Sequence, residues 1–143
     1  MSTATATAAR TETEARAALA QLRRAGFIGN AQGSAVQAAF RSEEKQYFFD
    51  KICELHQAIQ DMPKTYDQDG LGRKAVVHLH YFYRGANWYI TEKDVLKNQH
   101  QAFGLADLGY GGEMGYISLI EITGLGVELD FHWTPKTLAE VAS

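Results

Sequence analysis

At 143 residues, with 45% apolar and 22% charged side chains, the chain has the composition of one globular domain, long enough to bury a core without covalent staples. Its one cysteine, Cys53, excludes an intrachain disulfide framework and a multi-thiolate zinc site, and fits a reducing cytosol. The net charge of -3 is uneven: residues 1–41 carry five arginines against two glutamates (+3), and residues 42–143 carry nine Lys or Arg against fifteen Asp or Glu (-6), a balance that disfavours phosphate binding and suits a partner with a basic surface.

Residues 2–9 are all Ala, Thr or Ser and are expected to fray. From Thr13 the stretch EARAALAQLRR is rich in strong helix formers, with Leu19 and Leu22 on a narrow apolar stripe and Gly26 as the stop. Gly26 to Ser34 reads as a linker, because Gly29, Asn30 and Gly33 punctuate it. Residues 1–41 are thus expected to form a partly disordered arm with a basic helix, and residues 42–143 a single domain. In that domain Ser42 is the expected N-cap of a helix over Glu43–Gln60, whose Phe48, Ile52, Leu55 and Ile59 recur at helical spacing. Met62 and Pro63 end it, since the residue before proline is pushed out of helical geometry.

Beyond Asp67–Gly72 the period switches to two. Val77, Leu79, Tyr81 and Tyr83 face one side of a strand, and Val76, His78, His80 and Phe82 the other. Arg84-Gly85-Ala86-Asn87 turns into a second strand at Trp88–Thr91. A third covers about Gln101–Leu108, and Gly115–Ile117 forms a short fourth. Ser118 and Glu121 have capping-box spacing over a short helix that Gly124 closes, and Thr137 and Glu140 repeat it at a terminal helix. Between them Val127, Leu129, Phe131 and Trp133 alternate with polar residues as in a half-buried strand. Helices first and strands later make an α+β fold: N-terminal helices packed on an antiparallel meander of four to five strands, with short helices inserted and at the C-terminus.

Several constellations bear chemistry. His78 and His80, two apart on a strand, put both imidazoles on one face, and His132 offers a third ligand if its strand lies alongside. The spacing from Gly72 matches the start of a cupin signature, but Arg84 and Gly85 stand where that pattern needs glutamate. Structural histidines explain the pair as well. Tyr81, Phe82, Tyr83, Trp88 and Tyr89 can stack bases or simply fill a hairpin, and Arg84 is the only cation among them. Asp107 and Glu113 bracket a glycine loop that lacks the lysine of a phosphate motif, so they read as paired carboxylates or as solvated turn residues. Arg23 and Arg24 on the first helix can meet an acidic surface. No nucleophile elbow, zinc-protease motif or dinucleotide fingerprint occurs, so no catalytic residue and no cofactor is expected. No run approaches the ~20 apolar residues that span a bilayer. MSTATATAARTETEAR also lacks the apolar stretch of a secretory signal, so a soluble, cytoplasmic protein is expected.

The phrases MPKTYDQDG, LHYF, WYITEKD, QAFGLADLG, GYISLIEI and GVELDFHWTPKTL, spread over about Glu43 to Val141, resemble the domain-of-unknown-function family 2958. That resemblance implies a setting in phages, plasmids or polyvalent proteins of mobile elements, and no assigned activity, cofactor or catalytic residue. Within the matching phrases Glu92, Asp107, Glu113 and Tyr116 are the polar positions hardest to explain by packing, and with Arg23 and Arg24 they form the candidate binding surface. The expected function is a non-enzymatic accessory protein that binds a host or element-encoded protein, for instance inhibiting a nucleic-acid-handling or defence complex in the anti-CRISPR or anti-restriction manner. Two alternatives stand beside it: a single-stranded nucleic-acid-binding protein, and a metal-dependent enzyme using His78 and His80 or Asp107 and Glu113.

Overall fold

The structure, a computed structural model, describes residues 9–94 and 100–142. It has the α+β architecture expected. Three helices, α1 (Glu12–Arg24), α2 (Asn30–Ala39) and α3 (Lys45–Asp61), cover one face of an antiparallel sheet. The strands are β1 (Val76–Val77), β2 (Leu79–Tyr83), β3 (Ala86–Asp94), β4 (Gln101–Asp107), β5 (Gly112–Ser118), β6 (Glu128–Leu129) and β7 (Lys136–Thr137). Two short helices, α4 (Leu119–Gly124) and α5 (Leu138–Ala142), complete the chain. The main sheet has the order β5-β4-β3-β2-β6, and β1 pairs with β7 in a separate two-stranded ribbon.

Local chemistry sets the helix ends. Thr11 caps α1 in a reciprocal box: the Glu14 N–H donates to its hydroxyl at 3.1 Å, and its own N–H donates to the Glu14 carboxylate at 2.9 Å. At the other end Gly26 has φ +85°, its N–H reaches the Arg23 carbonyl, and the Phe27 N–H reaches the Leu22 carbonyl. This is a Schellman stop with buried Leu22 and Phe27 in hydrophobic contact range of the motif. The same device closes α4, where Gly126 at φ +98° does the work expected of Gly124.

Two expectations for the N-terminal helices are corrected. The Gly26–Ser34 segment is no linker, because α2 begins at Asn30 and buries Gly33 and Val36. Ser42 does not cap α3; its hydroxyl donates to the Ala39 carbonyl and accepts from the Glu44 N–H, holding the turn between α2 and α3. The expected arm therefore divides: residues 1–8 lie outside the described residues, while α1 and α2 enter the same core as α3 and the sheet. Ala15, Leu19, Leu22, Val36 and Phe40 are buried together with Phe49, Ile52, Cys53, Leu79, Tyr81 and Ile90. Cys53 is thus part of this core, beside the expected stripe. The Tyr81 hydroxyl donates to the Phe27 carbonyl at 2.6 Å, and Gln32 bonds both the N–H and carbonyl of Leu129, so the N-terminal helices are pinned to β2 and β6.

The hairpin between β2 and β3 is tighter than expected. Tyr83 pairs with Ala86, leaving the two-residue loop Arg84-Gly85 with φ values of +47° and +85°, a type I′ turn. In β3 the register slips between Ile90 and Glu92, so Thr91 is a bulge and Glu92 faces Phe103. The expected strand over Val127–Trp133 is cut to Glu128–Leu129. At Asp130 the carboxylate accepts the His132 N–H at 2.9 Å, and the chain turns, carrying Trp133 across the sheet. No helix among the described residues is long and apolar enough to cross a membrane.

Candidate functional site

Cross-strand partners share a face of a sheet, so the register divides the side chains into two sets. The inner set, toward the helices, includes Leu79, Tyr81, Trp88, Ile90, Ala102 and Ile117. The outer set runs in rows across the strands: Glu128, Phe82, Asn87, Asp107 and Gly112; then His80, Tyr89, Leu105 and Met114; then Glu92, Phe103 and Tyr116; then Asp94, Gln101 and Ser118. Four carboxylates and four aromatic rings lie in these rows, and no lysine or arginine. Lys136, whose ammonium sits 4.9 Å above the Trp133 ring, is a cation at the border of this face.

The outer face has two centres. At one, His80 lies with Nδ1 at 2.9 Å from Asp130 Oδ2 and Nε2 at 2.7 Å from Asn87 Oδ1. Its ring stacks on Tyr89 at 5.0 Å and meets Trp133, also at 5.0 Å, while the Trp133 indole N–H donates to the Val77 carbonyl. Every polar atom of His80 is engaged, so this cluster ties the 130–133 turn to β2. His78 stands at the break between β1 and β2 and His132 is exposed; among the described residues no three His, Cys, Asp or Glu side chains gather as metal ligands.

The second centre is a pocket of about 400 Å³ between the outer face and the 65–72 turn, lined by Tyr66, Asp69, Glu92, Phe103, Met114 and Tyr116 among others. The bulge at Thr91 sets Glu92 on its floor, only 5% exposed. One Glu92 carboxylate oxygen accepts the Tyr66 backbone N–H at 2.6 Å, and the other lies 3.2 Å from the Thr91 hydroxyl. Tyr66 is held at φ +75°, a region that disfavours bulky side chains, and its ring stands at the mouth. The Tyr116 hydroxyl donates to that of Tyr66 at 3.4 Å; this bond, together with the nearby Asp94 and Glu92 carboxylates, raises the Tyr116 phenol above its ordinary value. Gln68 braces the floor with its amide on the carbonyls of Val76 and Thr91 and its oxygen on the Val76 N–H.

The sequence-derived surface is thus partly assembled. Glu92, Asp107 and Tyr116 share the outer face. Asp107 and Glu113 do lie at the same end of neighbouring strands, but Glu113 pairs with Ala106 on the inner set, so the two carboxylates point to opposite sides. Arg23 and Arg24 are in the helix layer, where the Arg23 guanidinium packs over Gly33 and donates to Asn30. The aromatic hairpin is also split: Phe82 and Tyr89 face outward, Tyr83 and Trp88 inward, and Tyr81 is fully buried. Sequence reasoning missed Tyr66, Asn87 and Asp130. Only the Asp- and Gly-rich turn around Tyr66 gave a signal, and it spoke of backbone rather than of a pocket.

A search of the curated proteins and a search of the solved structures each returned no match. The model of the family described as protein of unknown function (DUF2958) matches residues 51–138, from the middle of α3 through the last strand, and the chain belongs to that family.

Proposed function

We propose that the protein is a non-enzymatic interaction module whose outer sheet face docks a basic surface of a partner protein. The observation that carries this reading is the composition of that face, in which Glu128, Asp107, Glu92 and Asp94 are interleaved with Phe82, Tyr89, Phe103 and Tyr116 and with no lysine or arginine. Aromatic anchors ringed by one sign of charge suit a protein interface, where the rings supply buried area and the charges select the partner. The same carboxylates repel nucleic-acid phosphate, which weakens the reading of the hairpin as a base-stacking platform. In the mobile-element setting that the family resemblance implies, the partner is a cytoplasmic host or element-encoded protein that handles nucleic acid or defends the host; carboxylates occupying its phosphate-binding channel would inhibit it.

The test is affinity capture by the tagged full chain from nuclease-treated lysate of the organism that carries it, compared across charge reversals. Asp107→Lys with Glu128→Lys should lower recovery of the partner by at least ~10-fold, and Glu113→Lys, on the opposite side of the sheet, should leave it unchanged. Equal losses from both variants, or from neither, would overturn the assignment of the outer face.

A further inference from the structure

Glu92 is the one acidic side chain among the described residues that is both buried and exposed to a cavity rather than to a cation. A carboxylate has about four acceptor positions, and the Tyr66 N–H and the Thr91 hydroxyl take two of them. The Thr91 hydroxyl also lies 3.2 Å from the Phe103 carbonyl, so its single proton is shared between two acceptors. A buried carboxylate with acceptor capacity left over and no counter-charge is an expensive arrangement. A second strained feature meets it: Tyr66 holds a left-handed backbone conformation, which bulky side chains rarely adopt. That conformation aims the Tyr66 N–H at Glu92 and leaves its ring 68% exposed at the mouth, opposite Tyr116 at 52%. Phe103 completes the wall, edge-on to Tyr116 at 5.4 Å.

A carboxylate floor beneath electron-rich ring faces is a receptor for an organic cation: the rings attract its charge, and the carboxylate accepts its N–H bonds. The volume falls in the range of small-ligand sites, and among the described residues the lining contains no lysine or arginine. We infer that the Glu92 pocket receives one lysine or arginine side chain of the partner, its head on Glu92 and its stem between Tyr66, Met114 and Tyr116. The cation specificity stands on the pocket itself; that a protein carries the cation rests on the outer-face reading above.

The full chain is titrated, with NMR detection at the Tyr66 amide and the Tyr116 ring, against Nα-acetyl-lysine methylamide and Nα-acetyl-arginine methylamide. Their neutral counterparts, made from norleucine and citrulline, are run beside them. At least one cation should bind with Kd on the order of mM or tighter and at least ~10-fold better than its counterpart, a difference of ~1.4 kcal/mol; which one does so identifies the head group. Glu92→Gln keeps an acceptor for the Tyr66 N–H and should reduce the preference to ~2-fold or less. Tyr66→Gly relieves the backbone while deleting the ring, so it should weaken both cations without lowering the melting temperature, and it decides the question if Glu92→Gln does not fold. Equal binding of the neutral probes, an undiminished preference in Glu92→Gln, or no response at Tyr66 and Tyr116 would each overturn the pocket. If the probes bind as expected but Asp107→Lys with Glu128→Lys captures as much partner as the unaltered chain, the pocket stands and the docking face falls.

Discussion

His78 and His80 stand two positions apart in the chain, and their surroundings have nothing in common. Both nitrogens of His80 face oxygen acceptors, whereas His78 is half-buried at the join of β1 and β2, and its loss of water lowers its pKa below the ordinary 6.5. The folded protein therefore resists a proton that the unfolded chain accepts. As pH falls through 6.5 toward the lower folded value, stability drops, and below that value the penalty is complete and level. His78→Asn should remove this part of the acid sensitivity. Thermal melts from about pH 7 to pH 5 should show the unaltered protein losing more Tm than the variant over that window; parallel losses would place the acid-sensitive group elsewhere. Alternation along β2 revealed that the two histidines lie off the core-facing side. What holds the His80 ring comes from Asn87, Asp130 and Trp133, more than fifty residues away at the farthest, and no spacing rule reaches that far.

At the scale of elements, the bulge in β3 is the feature on which the pocket depends, and Gly104 permits it. A Cβ at Gly104 would overlap the Tyr89 carbonyl oxygen and lie 2.9 Å from Ile90 Cα, both backbone atoms that cannot turn aside. Gly104→Ala should cost about 1–3 kcal/mol or more in urea unfolding, and by displacing Tyr89–Ile90 it should shift the NMR resonance of the Tyr66 amide that rests on Glu92. A variant as stable as the parent with that resonance unmoved would show that the strands are not held so closely. Elements governed by neighbours in sequence were legible: α1 and its stop at Gly26, α3 and its end before Pro63, the hairpin after Tyr83, the capping pair Thr137–Glu140. The second helix was not. Its sequence NAQGSAVQAA has no apolar stripe and three weak helix formers in its first half, so tertiary burial of Gly33 and Val36 decides it. The strand reading at Val127–Trp133 failed in the opposite sense, because the alternation was real but the Asp130 turn sent Trp133 to the other side of the sheet.

For the whole molecule, the family match begins at residue 51, yet the core does not. Helices α1 and α2 with the turns that follow them cover Tyr81 and Leu129 and contribute buried Leu19, Leu22, Phe27, Val36 and Phe40. A fragment starting at residue 42 would expose that surface and deprive the Tyr81 hydroxyl of its acceptor, a lost hydrogen bond worth ~0.5–1.5 kcal/mol in itself. The fragment is expected to lose its cooperative melt and to bind a hydrophobic dye, while the full chain does neither; a sharp melt without dye binding would make residues 1–41 dispensable to the fold. The candidate surface was legible in its acidity and in Glu92, Asp107 and Tyr116. Its extent was not, since which carboxylates share a face depends on the β3 slip and on the pairing of β6 with β2.

Cys53 gives the layered core a consequence of another kind. It is the chain's one thiol, buried in the core where α3 packs beside α1, and burial raises its pKa and so depresses the thiolate that electrophiles attack. A thiol reagent added to the native protein can therefore react only when the packing around α3 opens. The labelling rate reads the frequency of that opening directly, and a bound partner that holds the fold closed would register as a slower clock.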